Sequence, residues 1–96
     1  MKQEKRKIVR TYSAGVFFAE IVKRTGKEAV LKNARRIWCW HGAASLSQLA
    51  QSGTTKPGDC KFPEPVDSIT VTEVIEILDV TPAAAATIDS VKPWRA

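Results

Sequence analysis

Asn33-Ala34-Arg35-Arg36-Ile37-Trp38-Cys39-Trp40-His41-Gly42 joins a pair of arginines to two of the three tryptophans, one of the two cysteines and the only histidine. Run as a strand, whose side chains alternate between faces, this segment puts Arg36, Trp38 and Trp40 on one side and Arg35, Ile37 and Cys39 on the other. One face becomes a row of cation and indole. The planar fork of a guanidinium grips an anion and an indole covers a flat ring, and a nucleotide has both parts. The plainer alternative is packing, since aromatic residues favour strands whatever they bind.

Working outward toward the N-terminus, Ile8 to Tyr12 and Val16 to Val22 have extended patterns, separated by Ser13-Ala14-Gly15, small residues suited to a bulge or tight bend. Arg24-Thr25-Gly26-Lys27 makes a polar turn before a third strand over Ala29 to Trp40. Short connections and runs rich in Val, Ile, Phe and Trp predict an antiparallel meander.

Toward the C-terminus, Ser45 with Gln48 forms a capping box, Leu46, Leu49 and Ala50 an apolar stripe, and Gly53 a stop, which together predict a short helix. Pro57, Gly58, Pro63 and Pro65 mark an irregular connection over residues 54–67. Ile69 to Leu78 is ambiguous between helix and strand, and its β-branched content favours one strand with Glu73 intruding. Thr81-Pro82 before Ala83 to Ala86 opens a second helix. Trp94 is expected to dock on the body or on another subunit. The predicted fold is α+β, an antiparallel sheet of about four strands with two short helices, in one domain over residues 7–96 after a flexible basic start over residues 1–6.

At 96 residues the chain makes a single small domain, and its large surface relative to core favours a homo-oligomer. The net charge of +5 is uneven: residues 1–36 hold 11 basic and 3 acidic residues, and the rest of the chain is net negative. A basic first third implies an anionic partner, or simply a soluble surface. No apolar run reaches the roughly 20 residues of a membrane span, and no export signal is evident, so the expectation is a cytosolic protein with free thiols and no membrane partner.

Catalysis has little support. His41 and several serines are present, but no spacing assembles a nucleophile, base and orienting acid. Cys39, His41 and Cys60 lack paired Cys-x-x-Cys spacing, so neither metal nor cofactor is expected. For an anion, three positive features converge on paper: the Ser13 to Gly15 backbone, the helix start near Ser45, and Arg35 with Arg36. The alternative is that Gly15 makes a bulge, Ser45 caps its own helix and the arginines pair with carboxylates. Single-stranded nucleic acid is a weaker candidate, because aromatic content is only 7% and no ribonucleoprotein-type motif occurs.

Val9-Arg10-Thr11-Tyr12-Ser13-Ala14-Gly15-Val16, Asn33-Ala34-Arg35-Arg36-Ile37-Trp38, Gly42 to Ala50 and Thr72-Glu73-Val74-Ile75-Glu76-Ile77 together resemble a family of small, functionally uncharacterised proteins of tailed phages and prophages. The resemblance implies residence in the cytoplasm of an infected bacterial host and transfers no catalytic or binding residue. It favours a non-enzymatic, oligomeric counter-defence protein that sequesters a negatively charged nucleotide-derived immune signal. A virion structural or interaction component and a single-strand binder are the alternatives. In the sequestering reading Arg10, Ser13, Gly15, Arg35 and Arg36 meet phosphate, Trp38 or Trp40 stacks on the base, and His41 borders the site.

Overall fold

A computed structural model describes residues 4–95. Five antiparallel strands and two helices follow one another as β1 (Lys7–Thr11), β2 (Val16–Thr25), β3 (Glu28–Arg36), α1 (Leu46–Ser52), a 3₁₀ turn (Pro57–Asp59), β4 (Val66–Val71), β5 (Val74–Asp79) and α2 (Pro82–Asp89). The fold is α+β, as the sequence predicts, with one strand more than expected.

The extra strand comes from Ile69 to Leu78, which is two strands and not one. Strand order is β4-β3-β2-β1-β5, so β4 and β5, joined by only Thr72 and Glu73, lie on opposite edges of the sheet. Two residues can join those edges only if the sheet curls until they approach each other at that end. The junction is fastened there: Val74 N–H donates to the Lys27 carbonyl in the β2–β3 turn, and Tyr12 N–H donates to Glu73, both at 2.9 Å. Register shifts in the β2–β3 pairing between Phe18 and Glu20, and again between Ile21 and Lys23, supply the bend. Val71 and Val74, three residues apart, both face inward, so the alternation changes phase across the junction, and the register shift opposite Arg10 and Thr11 in the β1–β5 pairing changes it back by Ile77. A single strand would put Ile75 in the inward-facing set; it is instead 49% exposed.

Curling gives the sheet two cores. Inside the curl, Val9, Phe17, Ala19, Ala29, Leu31, Ala34, Val71 and Val74 pack together, drawn from every strand and from no helix. On the outer face Ile8 and Phe18 meet Ile37, Phe62 and the apolar sides of α1 and α2 through Leu49, Ala84, Ala85 and Ile88. Burying Phe17, Phe18 and Phe62 fully is the largest apolar contribution, on the order of 2–3 kcal/mol each.

Both helices begin as their sequences dictate. Ser45 accepts from Gln48 N–H at 3.2 Å while the Gln48 side chain accepts from Ala44 N–H at 2.7 Å, and Gly53 closes α1 at φ 75°. Thr81 caps α2 by accepting from Ala84 N–H at 3.1 Å, with Pro82 at the first helical position. Of the start expected to be flexible, residues 1–3 lie outside the described residues. Arg6 pairs with Asp89 of α2 at 2.6 Å and with Glu4 at 2.8 Å. No helix of the described residues is long and apolar enough to cross a membrane.

Candidate functional site

The expected cation and indole row breaks after Arg36. There β3 ends, Ile37 N–H donates to the Val16 carbonyl at 2.8 Å, and Cys39 leaves the sheet to pair with Lys61. Strand alternation therefore does not extend to Trp40, whose ring turns onto the outer core while its indole N–H donates to the Ala43 carbonyl at 3.3 Å.

Arg35 is the clearest correction. It is 8% exposed, and its guanidinium donates to the carbonyls of Phe62 (3.2 Å), Pro63 (3.1 Å), Ile88 (3.1 Å) and Val91 (2.5 Å). Four of its five N–H donors are thus taken up by carbonyls of the outer core, so it serves the packing of the fold and not the phosphate grip expected of it. Burial pushes its pKa below the ordinary arginine value and nearby Asp89 opposes that shift, but an arginine stays charged throughout.

Arg36, Ser13 and Gly15 do come together, in a self-satisfied arrangement. Arg36 lies over the Phe17 ring at 4.5 Å and donates to the Ala14 carbonyl. Gly15 takes φ 95° to turn the chain, and the Thr11 hydroxyl accepts from Ala14 N–H at 2.9 Å, so that donor does not face an open cradle. Ser13 Oγ donates to the Glu73 carboxylate, and exposed Arg10 stands opposite Glu76 in the β1–β5 register. Two carboxylates border this corner, which weakens it as an anion site. Ser45 is engaged in capping. His41 is exposed, its Nε2 3.8 Å from Cys39 Sγ, and both cysteines are free thiols. Among the described residues no group of three or more His, Cys, Asp or Glu side chains is placed to hold a metal.

Trp38 faces a different partner. Its ring stacks on Trp94 with centroids 5.1 Å apart and planes 21° from parallel, and Lys61 Nζ lies 5.5 Å from both centroids. The residues Lys61 and Phe62 set this geometry: Lys61 bridges to Cys39, Phe62 bridges to Pro93, and Trp94 N–H donates to the Phe62 carbonyl at 3.0 Å. Buried Arg35 ties the same two segments from below through Phe62 and Val91. Trp38 is 57% exposed, and a cleft of about 460 Å³ opens beside Trp94, lined also by Pro57, Gly58, Pro93, Lys92 and Arg95. Arg95 pairs with Glu64 at 2.5 Å, both side chains largely exposed.

Three of the four basic residues after Arg36 thus gather around one aromatic stack, in the part of the chain whose net charge is negative. Sequence reasoning expected Trp94 to dock on the body or on another subunit, of which the structure shows the first, and it missed Lys61, Lys92 and Arg95. The available signal was composition: Cys60-Lys61-Phe62-Pro63 and Lys92-Pro93-Trp94-Arg95 both set a cation beside an aromatic residue and a proline.

Residues 4–88 match the family model described as a domain of unknown function, DUF6948. The chain belongs to that family. Trp38 and Lys61 lie within the DUF6948 span, and Lys92, Trp94 and Arg95 follow it. No curated protein and no solved structure matches the chain.

Proposed function

We propose that this DUF6948 protein is a non-enzymatic binder of a negatively charged, nucleotide-type ligand, held at the Trp38–Trp94 stack. The observation that carries the reading is the meeting of two exposed indoles with Lys61 and, across the adjoining cleft, Lys92 and Arg95. Indole faces attract flat bases irrespective of their sequence, and ammonium and guanidinium groups attract phosphate. This keeps the chemistry expected from Arg36, Trp38 and Trp40 and moves it to different cations.

A phage origin, which the sequence resemblance implies, makes a nucleotide-derived immune signal in the host cytoplasm the ligand to try first, with sequestration by a homo-oligomer as the mode of action. The test is titration of the pure protein with nucleotides at low ionic strength, followed by tryptophan fluorescence and calorimetry. Saturable quenching that Trp38→Ala abolishes supports the reading. Absence of any binding at low salt, where phosphate contacts are strongest, rejects it. Recovery of the ligand unaltered after heat release separates capture from cleavage.

A second reading, a virion or other interaction component, is favoured by the same exposed indoles, because tryptophan is enriched at interface hot spots. Stoichiometric presence in purified particles supports it, and absence from them removes the virion role.

A further inference from the structure

We infer that the ligand of this surface carries at least two bases joined through phosphate, so that it is an oligonucleotide and not a mononucleotide; the inference rests on the binding reading above. The centroids of Trp38 and Trp94 are 5.1 Å apart, and Lys61 Nζ is 5.5 Å from each. Those three distances draw a nearly equilateral triangle. The ammonium is therefore equidistant from the two rings, near the seam of the stack, and does not cap its outer face at either end. Were it above one outer face, its distance to the second ring would be longer by about one ring spacing.

Lys61 therefore blocks neither end of the stack, and both indoles are exposed. Trp38 remains 57% exposed although Trp94 covers one of its faces. Trp94 borders the cleft and Trp38 does not, so the cleft offers Trp94 a recess that Trp38 does not share. A single base occupies one end of this stack and leaves the second bare. Two bases, one on Trp38 and one in the cleft against Trp94, carry their connecting phosphates past Lys61, with Lys92 and Arg95 at the cleft end. Glu64 neutralises Arg95 in the free protein through an exposed pair, which a phosphate displaces at little cost because such pairs are weak.

The test compares adenosine monophosphate, a short linear oligothymidylate and cyclic di-adenylate in calorimetric titrations at low ionic strength. At least one of the two oligonucleotides is expected to bind about tenfold or more tightly than the monophosphate, from a second stacked base. Which of the two gains identifies whether the linear or the cyclic form is the source. Trp94→Ala, checked for folding by circular dichroism, is expected to reduce the oligonucleotide to the level of the monophosphate. Lys61→Gln, which leaves both indoles in place, should cost the oligonucleotide more than the monophosphate. Equal affinity for all three probes overturns the inference and leaves the binding reading standing. Failure of all three to bind overturns both.

Discussion

Arg35 lies beneath Phe62 with its guanidinium carbon 5.5 Å from the ring centroid, and the same guanidinium donates to the Phe62 carbonyl at 3.2 Å. One buried cation thus holds the residue that bridges to Pro93 and, through Ile88 and Val91, the chain leading out of α2 to Trp94. The arginine pair divides its labour: Arg35 fixes the outer core and Arg36 remains half-buried at a turn.

Substitution separates those roles. Arg35→Met leaves buried carbonyl oxygens without donors and is expected to cost on the order of 3 kcal/mol in urea unfolding, since each unsatisfied acceptor costs about 1–3 kcal/mol. Arg36→Ala loses one carbonyl contact and the stacking on Phe17, and should cost about 1 kcal/mol. Equal costs for the two variants would refute the division.

Gly53 ends α1 at φ 75°, and a Cβ added there would stand 1.9 Å from Thr87 Oγ1 and 3.1 Å from the Ala84 Cα. That is where α1 meets α2, so a methyl group forces the helices apart as well as straining the backbone. Gly53→Ala should abolish the cooperative thermal transition. Gly26→Ala, at φ 59° with open space around it, should only lower the melting temperature by a few degrees.

The caps predict a smaller pair of effects. Ser45→Ala removes one acceptor from an exposed helix start and should cost about 1 kcal/mol. Thr81→Ala should cost more, because the Thr81 hydroxyl also donates to the Gln51 carbonyl at 2.8 Å and so joins the end of α1 to the start of α2. Denaturant midpoints of the two variants give the comparison directly.

The hydrogen bonds from Arg6 hold the Glu4 carboxyl below its ordinary value of 4.5, with burial opposing the shift. A lowered folded-state value means that the unfolded chain binds the proton first, so the stabilisation is present at neutral pH and fades as pH falls below 4.5 through the folded value. Glu4→Gln should be less stable than the natural protein by at most about 1 kcal/mol at pH 7. Melting curves should converge at acid pH, and a difference that persists unchanged at pH 2 would contradict the assignment.

Elements with local signatures were legible from residues alone. Ser45, Gln48 and Gly53 fix α1, Thr81 and Pro82 fix the start of α2, and the Gly15 and Gly26 turns fix the β1–β2–β3 meander, because caps and turns are settled within a few residues. The break at Thr72-Glu73 was not legible. It depends on the curl of the whole sheet, and the mixed apolar pattern of Ile69 to Leu78 hid the change of phase. The candidate site was half legible for the same reason: β3 ends at Arg36, and the cations of the site, Lys61 at Trp38 and Lys92 with Arg95 beside Trp94, arrive from 23 and more residues away through the Cys39–Lys61 and Phe62–Pro93 bridges.

The Trp38–Trp94 stack makes the last prediction, and it needs no ligand. Indoles with centroids 5.1 Å apart and inclined by 21° share their excited states, so the near- and far-ultraviolet circular dichroism should carry a paired positive and negative band from the coupling. Trp40 does not take part, since its ring lies on the outer core. Trp38→Phe and Trp94→Phe should each remove the whole couplet, whereas Trp40→Phe leaves it. Both indoles are exposed, so neither of the first two should cost more than about 1.5 kcal/mol, the upper range for an aromatic pair beyond area burial. Loss of only half the signal in each single variant would mean that the two rings do not touch, and the surface proposed for the ligand would lose its platform.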